Sequence, residues 1–237
     1  MSMRIDKLLT TMGLASRSEA SKAARGGLIK VNGQVVSKAD IKVDPEKDII
    51  EYMGKAVSYK KNIYIMMNKP SGLVSSTDGK DGETVVSILP DELQKCGLFP
   101  CGRLDKDTVG LLILTNDGSL SHFLLSPKRH VSKVYHVKTK LSVSKADIEI
   151  LENGVKLDKG DIALPAKVEQ KADNELYITI VQGMYHQIKR MLEAVNNKVI
   201  FLERVEFGTI PLDNSLNRGD WRYLTQEEID ILFKQTI

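Results

Sequence analysis

The chain has 237 residues, 42% hydrophobic and 27% charged, enough for one or two domains with a sizeable core. No apolar run is long enough to cross a bilayer, and the N-terminus has no signal-peptide apolar stretch. The two cysteines, Cys96 and Cys101, make no disulfide framework, and no histidine or cysteine spacing suits zinc, so a reducing cytoplasm and no membrane or metal are expected. The net charge of +3 is unevenly spread. Residues 1–30 hold six Lys/Arg against two acids, a net +4, whereas residues 61–237 hold 23 basic and 24 acidic side chains. Such asymmetry reads as a polyanion-binding module joined to a nearly neutral body.

In chain order, Ile5, Leu8, Leu9 and Met12 repeat at helical spacing and predict a helix that stops at Gly13. Ser16, with Glu19 three residues on, has the form of a capping box for a second helix, ended by Gly26-Gly27. Arg17, Lys22 and Arg25 cannot all face a core on so short a helix, so part of its surface is cationic. Two β-rich runs then flank Asn32-Gly33, a hairpin signal, and a further strand is expected near Asp48–Tyr52.

From Lys60 the pattern changes. NIYIMMN reads as a strand closed by a Pro/Gly turn, residues 71–82 as a loop, and TVVSILP as a short apolar segment. LLILT is a buried strand bounded by Asn116-Asp117-Gly118, and SLSHFLLSP a short helix ending near Pro127. KVYHVKT alternates, with Lys133, Tyr135 and Val137 on one side. A helix begins at Ser144, and AKVEQ, ELYITIVQ and KVIFLERVEFG are strand-like. Between the last two, Ile188, Met191, Leu192 and Val195 mark an amphipathic helix capped by asparagines. The fold class is therefore α+β: a small N-terminal α/β domain over residues 1–60, then over 61–237 a mixed, mainly antiparallel sheet with flanking helices. Three stretches gather polar residues at strand ends, where sites are usually built: Asn68–Gly72, Gly102–Asp105 and Gly183–Arg190.

Two resemblances follow from these residues. R-x-D-K-x-L, S-R-S-E-A and ARGGLIKVNG resemble the S-four RNA-binding domain over roughly residues 3–60. That resemblance implies RNA contacts from Arg4, Lys7, Arg17, Lys22, Arg25 and Lys30. In the body, G-R-L-D-x-x-T-x-G-L-L stands unbroken from Gly102 to Leu112, and K-P-x-G runs from Lys69 to Gly72. K-x-Y spans Lys133 to Tyr135, G-x-Y-H-Q-I-K-R-M spans Gly183 to Met191, and a matching tail runs from Glu206 to Thr225. Together they resemble the pseudouridine synthases, and within them the RsuA group of ribosomal small-subunit enzymes.

The resemblance implies the pseudouridine synthase fold and an isomerase that turns uridine in ribosomal RNA into its carbon-linked isomer. The expected partner is 16S rRNA, free or in a partly assembled small subunit, with 23S rRNA second and a non-catalytic RNA-binding assembly factor as the alternative. A monomer needing no cofactor is expected, since uracil leaves as a resonance-stabilised anion. The base must first leave its stack, at a cost of about a few kcal/mol. Asp105 is the implied lone carboxylate, acting on the sugar, on the base or on a sugar proton. Lys189 is the implied cation beside it, standing where sister groups carry arginine, which keeps the charge without the two-pronged contact; a surface pair with Glu193 is its bland reading. Tyr135 is expected against the flipped uracil, and Arg103 on a phosphate or in the gap left by the base. Lys69, His186 and Arg190 complete the expected RNA contacts, with helix capping as the plainer role for His186.

Overall fold

The protein is described here by a computed structural model covering residues 2–60 and 62–234. It divides into two compact units, residues 1–63 with 86–98, and residues 64–85 with 99–237.

In the first unit, β1 (Met3–Arg4) leads into α1 (Ile5–Thr11), and α2 (Arg17–Arg25) follows. The side chain of Ser16 accepts from the Glu19 amide while Glu19 reaches back to the Ser16 amide, so the capping box forms as the sequence predicts. Next come β2 (Ile29–Val31) and β3 (Gln34–Val35), joined at Asn32-Gly33, where φ is +51° and +80°. Those positive values at both central residues are what a type I′ hairpin requires, and Asn-Gly supplies them with least strain. β4 (Lys42–Val43) pairs with β1, while β5 (Ile50–Tyr52) and β6 (Lys55–Ala56) complete a four-stranded sheet in the order β3-β2-β5-β6. Ile5, Leu8, Leu9, Ala20, Ala24 and Ile29 form its core. The segment 86–98, with the one-turn α3 (Asp91–Gln94), packs in this unit although the linear reading assigns it to the body.

The second unit is built on a nine-stranded sheet. Its strands are β7 (Tyr64–Lys69), β8 (Phe99–Pro100), β9 (Val109–Thr115), β10 (Lys133–Thr139), β13 (Lys167–Ala172), β14 (Glu175–Ile180), β15 (Val199–Phe207), β16 (Ile210–Pro211) and β17 (Trp221–Tyr223). β11 (Val155–Lys156) and β12 (Ile162–Ala163) make a separate small ladder. The path runs β13-β14-β10-β15-β9-β7-β17, with β8 on β9 and β16 on β15. Every pairing is antiparallel except β9 with β15. β7 and β9 lie mid-sheet and are buried at every residue, which explains their continuous apolar runs. Helices α4 (Gly118–Leu125) and α7 (Gln226–Lys234) pack Leu120, Leu124 and Leu232 into a core with Met66, Leu111, Ile113 and Phe207. α5 (Lys145–Asn153) starts at a Ser144–Asp147 capping box, and α6 (Gln187–Ala194) is followed by Asn196 at φ +58°, the left-handed turn expected after a helix end.

The seam between β9 and β15 depends on Gly110. Its φ is +98°, and a Cβ there would sit 2.3 Å from the carbonyl oxygen of Arg204. Only glycine lets the two backbones come this close, and that contact sets Arg204 opposite Gly110 on the neighbouring strand.

Candidate active site

The loop between β8 and β9 is held from below. Ser75 Oγ donates to the Leu104 carbonyl at 2.9 Å and accepts from its amide at 3.1 Å. Lys69, at the end of β7 and 0% exposed, donates to the carbonyls of Pro70, Asp105, Lys106 and Thr108 at 2.8–3.2 Å. Burial pushes the Lys69 amine down to about 8, against the opposing pull of Asp107 and Asp105. The RNA contact expected of Lys69 is therefore corrected: the side chain is sealed from solvent and shapes the loop instead.

That clamp leaves the carboxylate of Asp105 outward, with its side chain 26% exposed. Lys189, in the first turn of α6, lies 3.2 Å from Asp105 Oδ2 and 2.6 Å from Asp107 Oδ1. Burial alone would lower the Lys189 pKa, but the hydrogen bond to Asp107 and the charge of Asp105 together raise it above its ordinary value. The same pair works in reverse on Asp107: burial would raise its pKa, and the bond from Lys189 wins and lowers it. Lys189 thus bridges two acids of the loop and takes no role as an i, i+4 partner of Glu193. His186 stands at φ +49° before α6, makes no side-chain cap, stacks on Tyr185 at 3.8 Å between ring centroids, and brings Nε2 to 3.6 Å from Asp105 Oδ1.

Asp105 and His186 border a cavity of about 800 Å³ within the second unit. Asp105, Arg103, Tyr135, His186, Lys133 and Arg204 are among the residues lining it. Tyr135 is 8% exposed and pairs in register with Arg204 across β10 and β15. Arg103 is exposed and makes no hydrogen bond or ion pair among the described residues, so it is not the local partner of Asp105 or Asp107. Arg190 is different. It bonds Asp158, reaches Asp161 Oδ2 at 2.7 Å, and donates to the carbonyls of Asp158 and Tyr185. Its expected RNA contact is corrected to a tie between α6 and the turn at Asp158–Gly160.

In the first unit, Arg4, Lys7, Arg17, Lys22, Arg25 and Lys30 are all exposed. Arg4 is paired with Asp6 at 2.6 Å, Lys30 lies 4.0 Å from Glu51, and Arg25 donates to the Ser21 carbonyl at 3.3 Å. Two cavity residues escaped the sequence reading, Arg204 as a site residue altogether and Lys133 as more than a motif position. Both lie on inward-facing positions of alternating strands, beside Tyr135 and Leu202, and that alternation was the signal available.

Comparison with known proteins shows the family. The family described as RNA pseudouridylate synthase matches residues 63–194, and the S4 domain matches residues 3–50. An RNA pseudouridine synthase of Bacillus subtilis is 43% identical, covering 97% of this chain and 98% of its own length. The ribosomal small subunit pseudouridine synthase A of Escherichia coli K12 is 40% identical over 96% of this chain and 98% of its own. A crystal structure of a pseudouridylate synthase superposes with a TM-score of 0.69 at 37% identity, covering 97% of this chain and 99% of that one. The chain belongs to the pseudouridine synthase family of RNA isomerases, of the RsuA type with an S4 domain in front.

Proposed function

We propose that the protein isomerises a uridine of 16S ribosomal RNA to pseudouridine, with Asp105 as its one reacting carboxylate. The observation that carries this reading is the Asp105 carboxylate at the edge of the cavity, 3.2 Å from the Lys189 ammonium. The target base leaves its stack and enters beside Tyr135, which offers a flat face. The C1′–N1 bond breaks with its electron pair going to the base. The base turns, C5 bonds to C1′, the C5 proton passes to water and N1 takes up a proton. Atoms balance and no electron donor is used. Whether Asp105 bonds the sugar, bonds the base or removes a sugar proton, it acts as a carboxylate with the Lys189 ammonium 3.2 Å away.

Arg103, unpaired and exposed, serves a backbone phosphate. The cationic face of the first unit adds affinity with little sequence information. The choice of 16S rRNA rests on relatives named as small-subunit enzymes at 40% identity over nearly their full length. A ribosomal substrate implies work in the cytoplasm.

The test is tritium release from RNA carrying C5-labelled uridine, using free 16S rRNA, partly assembled small subunits and 23S rRNA. Release from a 16S substrate by the wild type, and none by Asp105→Asn with RNA binding retained, is the expected result. Release from 23S alone moves the substrate. Binding without release by either protein overturns catalysis and leaves an assembly factor.

A further inference from the structure

Beneath Tyr135, two cations sit in the cavity floor without a carboxylate. Lys133 is 8% exposed and Arg204 is 1% exposed. Neither forms an ion pair among the described residues. Lys133 spends one donor on the Val131 carbonyl at 2.7 Å, and Arg204 Nε donates to the Leu111 carbonyl at 2.7 Å. Arg204 Nη2 is buried with no hydrogen-bond partner, and so is Thr108 Oγ1, another atom of the cavity lining. The Phe207 ring lies 5.6 Å from Lys133 Nζ and 5.2 Å from the Arg204 guanidinium carbon. Cys101, buried nearby, is pushed up by that burial and stays a neutral thiol. Buried charges are ordinarily paired, so two together with an idle donor are costly unless something negative comes to meet them.

The geometry points to Lys133 and Arg204 as an electrostatic floor that stabilises the negative charge gathered on uracil when its bond to the sugar breaks. The inference rests on the isomerisation proposed above. As C1′–N1 breaks, the electron pair spreads from N1 onto O2 and O4 of the base. When C5 bonds to C1′ and its proton leaves, the charge is removed again. A fixed positive field in a cavity with little water acts on that transient charge far more than on neutral uridine. Lys133 and Arg204 act through the field, as positioning residues; Asp105 remains the group that reacts.

Burial and the neighbouring Arg204 charge bring the Lys133 amine down to about 8. The groups facing it are Arg204 and Phe207 from β15, the Val131 carbonyl, and Cys101 from beside β8.

The experiment measures single-turnover tritium release with the full chain and the RNA on which the wild type is active. Lys133→Met is expected to slow turnover about 100-fold while the half-saturating RNA concentration changes less than about threefold. Lys133→Arg should recover all but about tenfold of the rate. In the wild type the rate should fall as Lys133 loses its proton above about pH 8, and in Lys133→Arg that fall should move to higher pH. Lys69, which also titrates near 8, is intact in both and cannot produce the difference. Lys133→Met should melt no lower than wild type, because it removes an unpaired buried charge; if it does not fold, Lys133→Gln carries the same expectation. A Lys133→Met rate within about threefold of wild type, a loss matched by weaker RNA binding, or Lys133→Arg as slow as Lys133→Met overturns the inference. A wild type inactive on every ribosomal RNA overturns the proposed reaction as well.

Discussion

Lys189 and Lys133 carry the same side chain to two sides of one site, and their surroundings drive them in opposite directions. Lys189 sits between Asp105 and Asp107, and their pull outweighs burial, so its pKa rises. Lys133 meets burial and a second cation, so its pKa falls to about 8. Residue type alone predicts neither behaviour; what differs is which charges share the low-dielectric space. The pair at the rim stabilises a charge already present in the protein. The floor has no such charge to stabilise until the base becomes negative.

The sharpest way to break this contrast is to remove the rim cation. Lys189→Met leaves Asp105 and Asp107 close together with no positive charge between them, and turnover should fall about 100- to 1000-fold, with Lys189→Arg within about tenfold of wild type. Single-turnover assays at fixed pH decide it; equal rates for Lys189→Met and wild type would remove Lys189 from the site.

Lys69 separates a third environment, in which a cation serves only backbone. Lys69→Met leaves carbonyls of the Asp105 loop without a donor, and stability should drop by about 2–4 kcal/mol. Urea unfolding measures this, and RNA affinity should change by less than about twofold.

Stability against pH sharpens the comparison at the floor. In the folded protein Lys133 titrates near 8, and in the unfolded chain near 10.5. Between those values the unfolded state holds the extra proton, so wild-type stability should rise with pH relative to Lys133→Met, by an amount on the order of 1–3 kcal/mol. Urea midpoints at about pH 7.5 and pH 10 read the difference.

The smallest effects concern the two arginines. Arg103→Ala should leave unfolding unchanged and reduce the salt dependence of RNA binding by about one phosphate contact. Arg190→Ala should do the reverse, lowering the urea midpoint slightly without altering RNA affinity.

Much of the architecture is legible in the residues. The LLILT run, the Asn32-Gly33 hairpin and the Ser16 and Ser144 caps each follow from local chemistry. So does the face that Lys133, Tyr135 and Val137 share on β10. The loop acid was visible because its motif is unbroken. What escaped is burial of charge. A lysine at a strand end reads as solvent-facing, yet four carbonyls surround Lys69, and three of them come from a loop 36 to 39 residues away in the chain. Arg204 is hidden for the same reason, since Gly110 brings its backbone in from a distant strand. Arg190 is one residue from Lys189, but the turn of a helix sends neighbours in different directions, and its partners at Asp158 and Asp161 belong to a connection with no sequence signature.

The parallel join at Gly110 has a consequence for the order of assembly. Val109 and Gly110 meet Glu203 and Arg204 across a gap of 94 residues, and such distant pairings form late because a long stretch of chain must first be closed. On a ribosome, the acid-bearing loop emerges well before the strand that completes its pocket. A nascent chain therefore passes through a period in which the loop bearing Asp105 exists without the strand that completes the chamber for a base, so catalytic competence waits on β15.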